Sequence, residues 1–392
     1  MFRVELLPAA YGDAIWIEYG DPKKPWRIVI DGGPAPSYED GLRKRILAVP
    51  EGFRHIDLFA VTHIDCDHID GAILLLREAT ALKVTFGEVW FNAWDQLTHV
   101  APDVYQPIQG EFFNALLAGS AMRDKLNERV RGEAIYLADD GPLPSWELDG
   151  GSRLTLLSPG LKQITRLRAR WQSAIREFNP GDSAEALRRL ESRREYRPPS
   201  FPPVFGVRTP GDDRSVANGS SIAFVLEYEG ASCLLASDAH PRVLAASLRR
   251  LAQTVGRGRP VVLDAVKVPH HGSIRNISEE LITAIDSPVW LISTNGDFFD
   301  HPDRDTAALI ARHATRPPTF LCNYKSASTM ALAARKGEVW QTEYPGEGVQ
   351  RGPTGGIAID LTKTPPRAST PKRTGTSVAR ARGARGPRRR KR

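Results

Sequence analysis

The segment HIDCDHID, residues 63–70, places two histidines and three aspartates directly after the apolar run IDLFAVT. Imidazole and carboxylate groups are ligands for divalent metals such as zinc and manganese. Four of these groups lie within six residues: His63, Asp65, Asp67 and His68. On a straight strand the last two would point to opposite faces, but in a loop between a strand and a helix they can converge. The spacing predicts the start of two metal sites, whose remaining ligands must come from elsewhere in the chain.

Further candidate ligands follow apolar, strand-like runs later in the chain: Asp238, His270, His271 and His301. Taken singly, an aspartate after a strand usually caps a turn, and a lone histidine is usually structural. However, strand, loop with a ligand-type side chain and then helix recurs several times, which is typical of an α/β protein with its site at the strand ends. A purely structural cluster would gather carboxylates without a counter-ion, which is costly in a buried site. The pattern therefore favours a metal site.

Size and composition limit the class of protein. With 392 residues and 41% hydrophobic content, the chain can bury a large core. No apolar run approaches the roughly 18 residues of a membrane span, so we expect no membrane segment. Acidic residues follow the N-terminus too early for a signal peptide. The three cysteines are scattered and odd in number, which argues against a disulfide framework and predicts a reducing, cytoplasmic location.

Residues from about 101 to 205 differ in composition and hydrophobic pattern from the flanking segments. They contain amphipathic and arginine-rich helical patterns, a break at residues 179–181 and the proline-rich stretch RPPSFPPVFGVRTPGDD. We expect an insertion or cap within a domain spanning residues 1–362. Its arginines could hold an acidic substrate or simply form a solvated face.

The basic tail, residues 363–392, carries twelve Lys and Arg and no acid. The whole chain has a net charge of +7, so subtracting these twelve charges leaves residues 1–362 with about −5. The tail is poor in large apolar side chains and is predicted to be disordered. It could bind nucleic acid in a salt-sensitive manner, or it could be a solubilising segment. The candidate nucleic-acid contacts are its last five residues: Arg388, Arg389, Arg390, Lys391 and Arg392.

Five ordered blocks resemble a known family. THIDCDHIDG is similar to the His-x-His-x-Asp-His signature of the metallo-β-lactamase fold, and more closely to the His-x-Asp-x-Asp-His variant of the soluble ComEC/Rec2-like metallo-β-lactamase domain. The other blocks are YGDAIWIEYG with IVIDGGP, NGSSIAFVLEYEGASCLLASDA, VKVPHHGS and ISTNGDFFDHP. Together they span residues 1–100 and about 215–310, and leave out the insertion and the basic tail.

The resemblance implies a four-layer αββα sandwich with two divalent metal ions, zinc or manganese, in a groove at one edge. It implies that His63 and Asp65 serve the first ion, that Asp67 and His68 serve the second, and that Asp238 bridges them. The candidates that complete the ligand shells are His270, His271 and His301, in an order that the sequence leaves open.

Two positions depart from the commoner family pattern. Asp65 replaces a histidine, and Asn218 or one of its neighbours stands where a histidine is often found. Oxygen ligands shift the preference of a site from zinc towards manganese or magnesium. We therefore expect a first site that is weaker, richer in oxygen ligands or empty in the isolated protein.

The implied chemistry is hydrolysis by a metal-bound hydroxide, which two neighbouring ions make available at neutral pH. Asp67 is the candidate to orient the water. Lys267 could neutralise an anionic transition state, or it could be a structural lysine.

Three functions remain open. The leading one is a phosphodiesterase or nuclease, which the ComEC/Rec2-like blocks and the basic tail favour. The alternative is a hydrolase of a small ester, lactone, thioester or phosphoester, since the insertion could equally cap a small-molecule pocket. The third is a non-catalytic nucleic-acid-binding module, against which the set of predicted metal ligands argues.

Overall fold

The apolar runs that alternate or carry β-branched residues form strands, as predicted. The computed structural model describes residues 1–97, 108–120, 122–171, 179–192, 213–254, 260–346, 350–352 and 354–363. The five candidate nucleic-acid contacts of the basic tail and most of the proline-rich stretch lie outside the described residues. Met1–Thr362 makes up one compact unit. The division of the chain after residue 362 stays a prediction.

The strands of the described residues number seventeen. In chain order they are β1 (Phe2–Leu6), β2 (Ile15–Asp21), β3 (Lys24–Ile30), β4 (His55–Ala60), β5 (Thr85–Trp90), β6 (Ser145–Glu147), β7 (Arg153–Ser158), β8 (Ala223–Tyr228), β9 (Ala231–Leu235), β10 (Val261–Val262), β11 (Ala265–Lys267), β12 (Ile285–Asp286), β13 (Val289–Ile292), β14 (Thr319–Cys322), β15 (Gln341–Glu343), β16 (Gln350–Arg351) and β17 (Ile357–Asp360).

The α-helices of the described residues number eleven, four of them a single turn. They are α1 (Lys44–Leu47), α2 (Cys66–Leu82), α3 (Trp94–Leu97), α4 (Ile108–Ala118), α5 (Leu161–Trp171), α6 (Ser183–Ser192), α7 (Val216–Gly219), α8 (Pro241–Thr254), α9 (Glu279–Thr283), α10 (Arg304–His313) and α11 (Ala327–Met330). None of the helices in this described part is both long and apolar enough to cross a bilayer.

Two large mixed sheets organise the strands. The first has seven strands in the order β16-β17-β1-β2-β3-β4-β5, and the second has eight in the order β15-β14-β13-β11-β9-β8-β7-β6. In the first sheet β3, β4 and β5 are parallel neighbours, whereas β1, β2 and β3 pair antiparallel. In the second sheet β9, β11, β13, β14 and β15 run parallel. Parallel neighbours end at the same sheet edge, where an α/β fold places its ligands.

The core lies between the two sheets. On β2, Ile15 and Ile17 face this core, and Trp16 points to the opposite side of the sheet. From the second sheet Phe224 of β8 and Leu235, its partner on β9, join the same cluster. The alternation follows from the two-residue period of a strand, which sends successive side chains to opposite faces.

Helices cover the outer faces of both sheets. On the first sheet, Ile69 and Ile73 of α2 and Phe113 of α4 pack with Phe59 of β4. On the second sheet, Leu244 of α8, Leu281 of α9 and Ile310 of α10 complete the main core. The layers therefore follow the order helix, sheet, sheet, helix, which confirms the predicted αββα architecture.

The range predicted as an insertion or cap is partly integral to the sandwich. β6 and β7 lie within it and form one edge of the eight-stranded sheet, with β7 paired to β8. α4 packs on α2 in the helix layer of the first sheet. The sequence prediction differs because RLTLLS is a six-residue strand between polar segments, and its pairing with β8 involves residues about 70 positions later.

Candidate metal centre

The segment HIDCDHID begins in the loop between β4 and α2 and continues into the first turn of α2. His63 follows β4, and Cys66 is the first residue of α2, so Asp67 and His68 lie in the first helical turn. The side chains of both histidines are fully buried, whereas the Asp65 side chain is 42% exposed. The helix start therefore turns Asp67 and His68 inward and leaves Asp65 at the open side of the site.

Two glycines press α2 against the turn that follows β3. The amide of Gly32 donates to His68 O at 2.8 Å, and the amide of Gly71 donates to Gly33 O at 2.8 Å. A Cβ added to Gly71 would lie 2.0 Å from Gly32 O, and a Cβ on Gly32 would lie 2.1 Å from Ala72 N. Only glycine permits this approach, which brings the first turn of α2 beside Asp31.

The next candidate ligands follow the neighbouring parallel strands β9 and β11. Asp238 lies shortly after β9, and His270 and His271 lie shortly after β11. The two histidines have φ values of 45° and 52°. A left-handed conformation costs a non-glycine residue about 1–3 kcal/mol, and such strain clusters at functional sites. The strained turn directs both imidazole rings towards Asp238.

One carboxylate oxygen, Oδ2 of Asp238, lies among the Nε2 atoms of four histidines. Its distances to these nitrogens are 3.4 Å for His68, 3.6 Å for His270, 3.9 Å for His271 and 4.0 Å for His63. Three segments that are far apart in sequence therefore converge on one point: residues 63–68, residue 238 and residues 270–271.

A second carboxylate, that of Asp67, faces two of the same rings. Its Oδ2 atom lies 3.3 Å from Nε2 of His271 and 3.8 Å from Nε2 of His68. The described residues thus contain two groups whose ligand atoms all lie within 4.8 Å of one another: His63, His68 and Asp238, and then Asp67, His68 and His271. His68 belongs to both groups. Asp238 belongs to the first group, and its Oδ2 atom also lies 3.9 Å from Nε2 of His271 in the second.

The opposite ring nitrogen, Nδ1, of each histidine is held by an oxygen of the protein. His68 donates to Asp31 Oδ2 at 2.8 Å, His270 lies 2.8 Å from Asn276 Oδ1, His271 lies 2.8 Å from Ser293 O, and His63 lies 3.0 Å from Thr62 Oγ1.

Thr62 donates its own hydroxyl proton to Asp31 Oδ2 at 2.8 Å, so its oxygen accepts from His63. All four Nδ1 atoms are consequently donors, and each Nε2 is left facing the centre of the cluster. Such a hydrogen bond fixes the tautomer and orientation of a metal-binding histidine.

Several inward-facing atoms are buried without a hydrogen-bond partner among the described residues. They are Nε2 of His63, His68 and His271, together with Oδ1 of Asp238. Unpaired buried polar atoms are rare in native proteins because each costs about 1–3 kcal/mol. Imidazole nitrogens and carboxylate oxygens that converge in this way fit a divalent metal ion, which would satisfy all of them.

The electrostatics of the cluster agree with this fit. Burial alone would raise the pKa of the Asp238 carboxyl, but the imidazoles of His270 and His68 hold it well below its usual range. Burial alone would lower the pKa of His68, yet the carboxylates of Asp238 and Asp67 raise it well above its ordinary value. The carboxylates thus stabilise positive charge at the centre of the cluster, which is the condition for binding a cation.

Lys267 is fully buried and paired with Asp13. Its ammonium lies 2.8 Å from Asp13 Oδ2 and donates to Val268 O at 3.0 Å. The other oxygen of Asp13 lies 3.4 Å from Nδ1 of His271. The structure therefore places Lys267 behind His271, where Asp13 stands between the ammonium and the ring.

Two sequence-predicted ligands lie at the margin. Asp65 Oδ2 is 3.7 Å from His63 Nε2 at the exposed side. The Nδ1 atom of His301 lies 3.3 Å from Asp303 Oδ2, and its ring centroid lies 5.3 Å from that of His270. Neither residue belongs to the two close groups, so His301 is brought beside the centre but not into it.

The residues behind the ligands were missed at the sequence level: Asp13, Asp31, Thr62, Asp213, Asn276 and Ser293. Asp213 accepts from Asn276 at 3.0 Å and from Asn218 at 2.7 Å. The first of these bonds orients the side chain of Asn276, the hydrogen-bond partner of His270. The only signals that could have indicated them are the aspartates of YGDA and IVIDGG, which precede turns at strand ends.

No protein-family model and no curated protein matches this chain. Several solved structures are similar to this chain. The metallo-β-lactamase fold protein YhfI from Bacillus subtilis is 11% identical, with a TM-score of 0.39, 92% of this chain covered and 100% of YhfI. Zn(2+)-bound PqqB from Methylobacterium extorquens is 13% identical, with a TM-score of 0.41 and the same coverage, 92% and 100%.

A putative metal-dependent hydrolase from Parabacteroides distasonis is 10% identical, with a TM-score of 0.34, 86% of this chain covered and 90% of that one. In the αββα sandwich of this chain, the candidate metal centre lies at the edge where β4, β9 and β11 end. The function is inferred from the geometry and chemistry of the site.

Proposed function

We propose that the protein is a metal-dependent hydrolase whose reaction centre is the histidine and aspartate cluster. The observation that carries this proposal is the convergence of four imidazole Nε2 atoms on Asp238 Oδ2 at 3.4–4.0 Å, with every Nδ1 atom anchored. A structural cluster would pair those nitrogens with protein groups, whereas three of the four have no hydrogen-bond partner.

The chain offers ligands for two divalent ions. His63, His68 and Asp238, with Asp65 at the open side, would hold one ion. Asp67 and His271, with His68 or Asp238 shared, would hold the second. When bound, such ions supply Lewis acidity towards a phosphoryl or carbonyl oxygen and lower the pKa of water. The mixture of imidazole and carboxylate ligands is compatible with zinc or manganese.

The protein's own residues orient this machinery. Asp31 and Thr62 hold His68 and His63, and Asn276 holds His270. We assign Lys267 a positioning role, because its ammonium fixes Asp13, which in turn faces His271. Asp67 stays our candidate to orient the attacking water, since its carboxylate faces the centre from the first turn of α2.

The substrate that we propose is a phosphodiester, which makes the protein a ComEC/Rec2-like nuclease or phosphodiesterase. The five sequence blocks and the twelve cationic side chains of the basic tail support it. The second candidate is a small ester, lactone, thioester or phosphoester. The formal charge of about −5 on residues 1–362 favours that candidate, since an acidic body repels a long polyanion.

Cleavage of labelled single-stranded DNA by the purified protein, with manganese or zinc added, tests the proposal. Chelator and the substitution Asp67→Ala should each reduce cleavage to background, because the centre then lacks its cations or a ligand. Asp140→Ala, which removes an exposed carboxylate in a remote turn, is the matched control and should stay active. Metal-loaded protein that cleaves no phosphodiester but hydrolyses a small ester would move the assignment to the second candidate.

A further inference from the structure

Three aromatic side chains form a contiguous group beside the metal centre: Tyr11, Phe298 and Phe299, here called the aromatic row. The rings of Tyr11 and Phe298 are stacked, with centroids 4.9 Å apart, and Phe298 and Phe299 meet edge to face at 4.6 Å. Tyr11 also meets Phe299 at 6.0 Å. They come from two loops, one between β1 and β2 and one after β13.

The two loops are joined to each other and to the centre. The amide of Asn295 donates to Ala10 O at 2.8 Å, and Ser293 Oγ donates to Gly12 O at 2.9 Å. A Cβ added to Gly12 would lie 1.9 Å from Asp67 O, so the loop that carries Tyr11 presses directly on the first turn of α2. The aromatic row is therefore held in place by backbone contacts with the ligand-bearing segments.

At its other end the aromatic row leads into the ligand histidines. The ring of Phe299 stacks on that of His301 with an interplanar angle of 24° and a centroid distance of 6.2 Å. The ring of His301 lies 5.3 Å from that of His270. His301 thus connects the row to the centre, which gives this sequence-predicted residue a place next to the ligands.

The row lies on the side from which a substrate can approach. Among the ligand histidines, His270 is 20% exposed in its side chain, whereas His63, His68 and His271 are fully buried. Phe299 is 37% exposed and is one of the five most exposed large apolar side chains of the described residues. The part-exposed ring of Phe299 therefore lies beside His301, which in turn lies beside the open ligand His270.

We propose that the aromatic row stacks an unpaired nucleobase next to the scissile phosphodiester, so that the substrate is single-stranded nucleic acid. This inference rests on the proposed phosphodiesterase function and names its substrate class. Proteins that bind single strands combine aromatic platforms with cationic segments. Here the aromatic platform lies beside the metal centre. In a duplex the bases are already stacked on each other and have no free face for Phe299.

A pair of matched substrates tests this inference. One is a short labelled oligothymidine, and the other is identical except for abasic residues around the cleavage position, so that the phosphate charge is the same. We expect Phe299→Ala to lower kcat/KM for the intact substrate by about 5–150-fold, the range of one lost base–aromatic contact. The kcat/KM of the wild-type protein should fall by a similar factor when the abasic substrate replaces the intact one. On the abasic substrate, Phe299→Ala should then have nearly the same kcat/KM as wild type.

Two variants serve as controls. Phe299→Trp keeps an aromatic face and should retain cleavage of the intact substrate. Phe53→Ala removes another exposed phenylalanine, 55% exposed and remote from the centre, and should behave as wild type. Equal losses on both substrates for Phe299→Ala, or no loss on either, would overturn the stacking role while the phosphodiesterase function stands.

A binding measurement separates failure of the inference from failure of the function. An oligonucleotide that contains 2-aminopurine loses fluorescence when that base stacks on an aromatic ring. If the wild-type protein cleaves no phosphodiester, quenching that is present in wild type and absent in Phe299→Ala still supports the aromatic row as a base-binding surface. Absence of quenching in the wild-type protein overturns it.

Discussion

At the scale of single residues, the anchored Nδ1 atoms give the metal centre its orientation. Asp31 makes two such contributions, because it accepts directly from His68 and holds Thr62, which accepts from His63. Loss of a partner behind a metal-binding histidine typically costs 10–100-fold in metal affinity. We therefore expect Asp31→Asn to weaken metal binding by about that factor. Titration against a competing chelator measures it.

The matched control for Asp31→Asn is Asp264→Asn. Asp264 is also a buried aspartate, and its carboxylate accepts a hydrogen bond of 2.7 Å from the amide of Ser232. It is not one of the candidate ligands or their hydrogen-bond partners. The control should keep the wild-type metal affinity. Equal affinities in Asp31→Asn and wild type would mean that the carboxylate does not orient the centre.

Glu111 is a buried carboxyl whose titration should affect stability. It is 1% exposed and accepts from Trp171 Nε1 at 2.7 Å and from the amide of Gly181 at 3.0 Å. Burial raises its pKa from 4.5 to about 6. The folded state therefore binds this proton more tightly than the unfolded state, and its contribution to stability falls as pH rises from about 4.5 to 6. The linked loss is about 2 kcal/mol.

The substitution Glu111→Gln removes that titration but keeps the side-chain shape. Urea unfolding of both proteins at pH 4.5 and pH 7 measures it, with the variant gaining about 2 kcal/mol relative to wild type at the higher pH. If the free energies of unfolding of the two proteins differed by the same amount at both pH values, a raised pKa for Glu111 would be contradicted.

Much of the centre could be predicted at this scale, because its ligands are dense in sequence. His63, Asp67, His68 and Asp238 were indicated by local spacing and strand ends, and the geometry brings them together. The order of His270 and His271 could not be predicted, since it depends on a strained turn. The supporting residues Asp13, Asp31 and Asn276 depend on contacts across 37 or more positions, or on neighbours that the strained turn creates.

At the scale of elements, the contact between the turn after β3 and the start of α2 fixes the site. A side chain on Gly71 would strike the backbone of Gly32. We expect Gly71→Ala to reduce the free energy of unfolding by about 1–3 kcal/mol, the usual cost of overpacking. Gly52→Ala, at a position with nothing within 4 Å, is the control and should be neutral. Denaturant unfolding decides between them, and equal stabilities would show that α2 shifts freely.

The strands that border the site were predictable, whereas β6 and β7 were not. β2, β3 and β4 correspond to apolar runs with clear ends, and the Glu229-Gly230 turn between β8 and β9 has the positive φ values, 49° and 82°, of a tight hairpin. β6 is three residues long and pairs with β7 alone among the described strands. Short edge strands owe their existence to pairing with the sheet, so their own sequence is weakly informative.

At the scale of the whole molecule, charge is divided between an acidic body and the basic tail. Cationic contacts with phosphates make affinity fall with salt, with a slope of about −0.7 per neutralised phosphate for single strands. Deletion of residues 363–392 should weaken binding to single-stranded DNA and reduce that slope. Fluorescence anisotropy across a salt series measures both, and an unchanged slope would remove the basic tail from substrate binding.

The layer order was predictable only because the motif blocks resemble a known family. The sequence pattern alone indicates alternating strands and helices, but it does not say that two sheets face each other. That arrangement depends on long-range pairing, such as β17 of the C-terminal region with β1.

The central claim is that the cluster around Asp238 binds metal, and the metal content of the purified protein tests it most directly. We expect about two equivalents of a divalent ion per chain by plasma mass spectrometry, in accordance with the two ligand groups that share His68. His68→Ala should retain less than half of this amount while keeping a cooperative unfolding transition. A wild-type protein that takes up no zinc or manganese, or a His68→Ala variant that holds as much as wild type, would contradict the account.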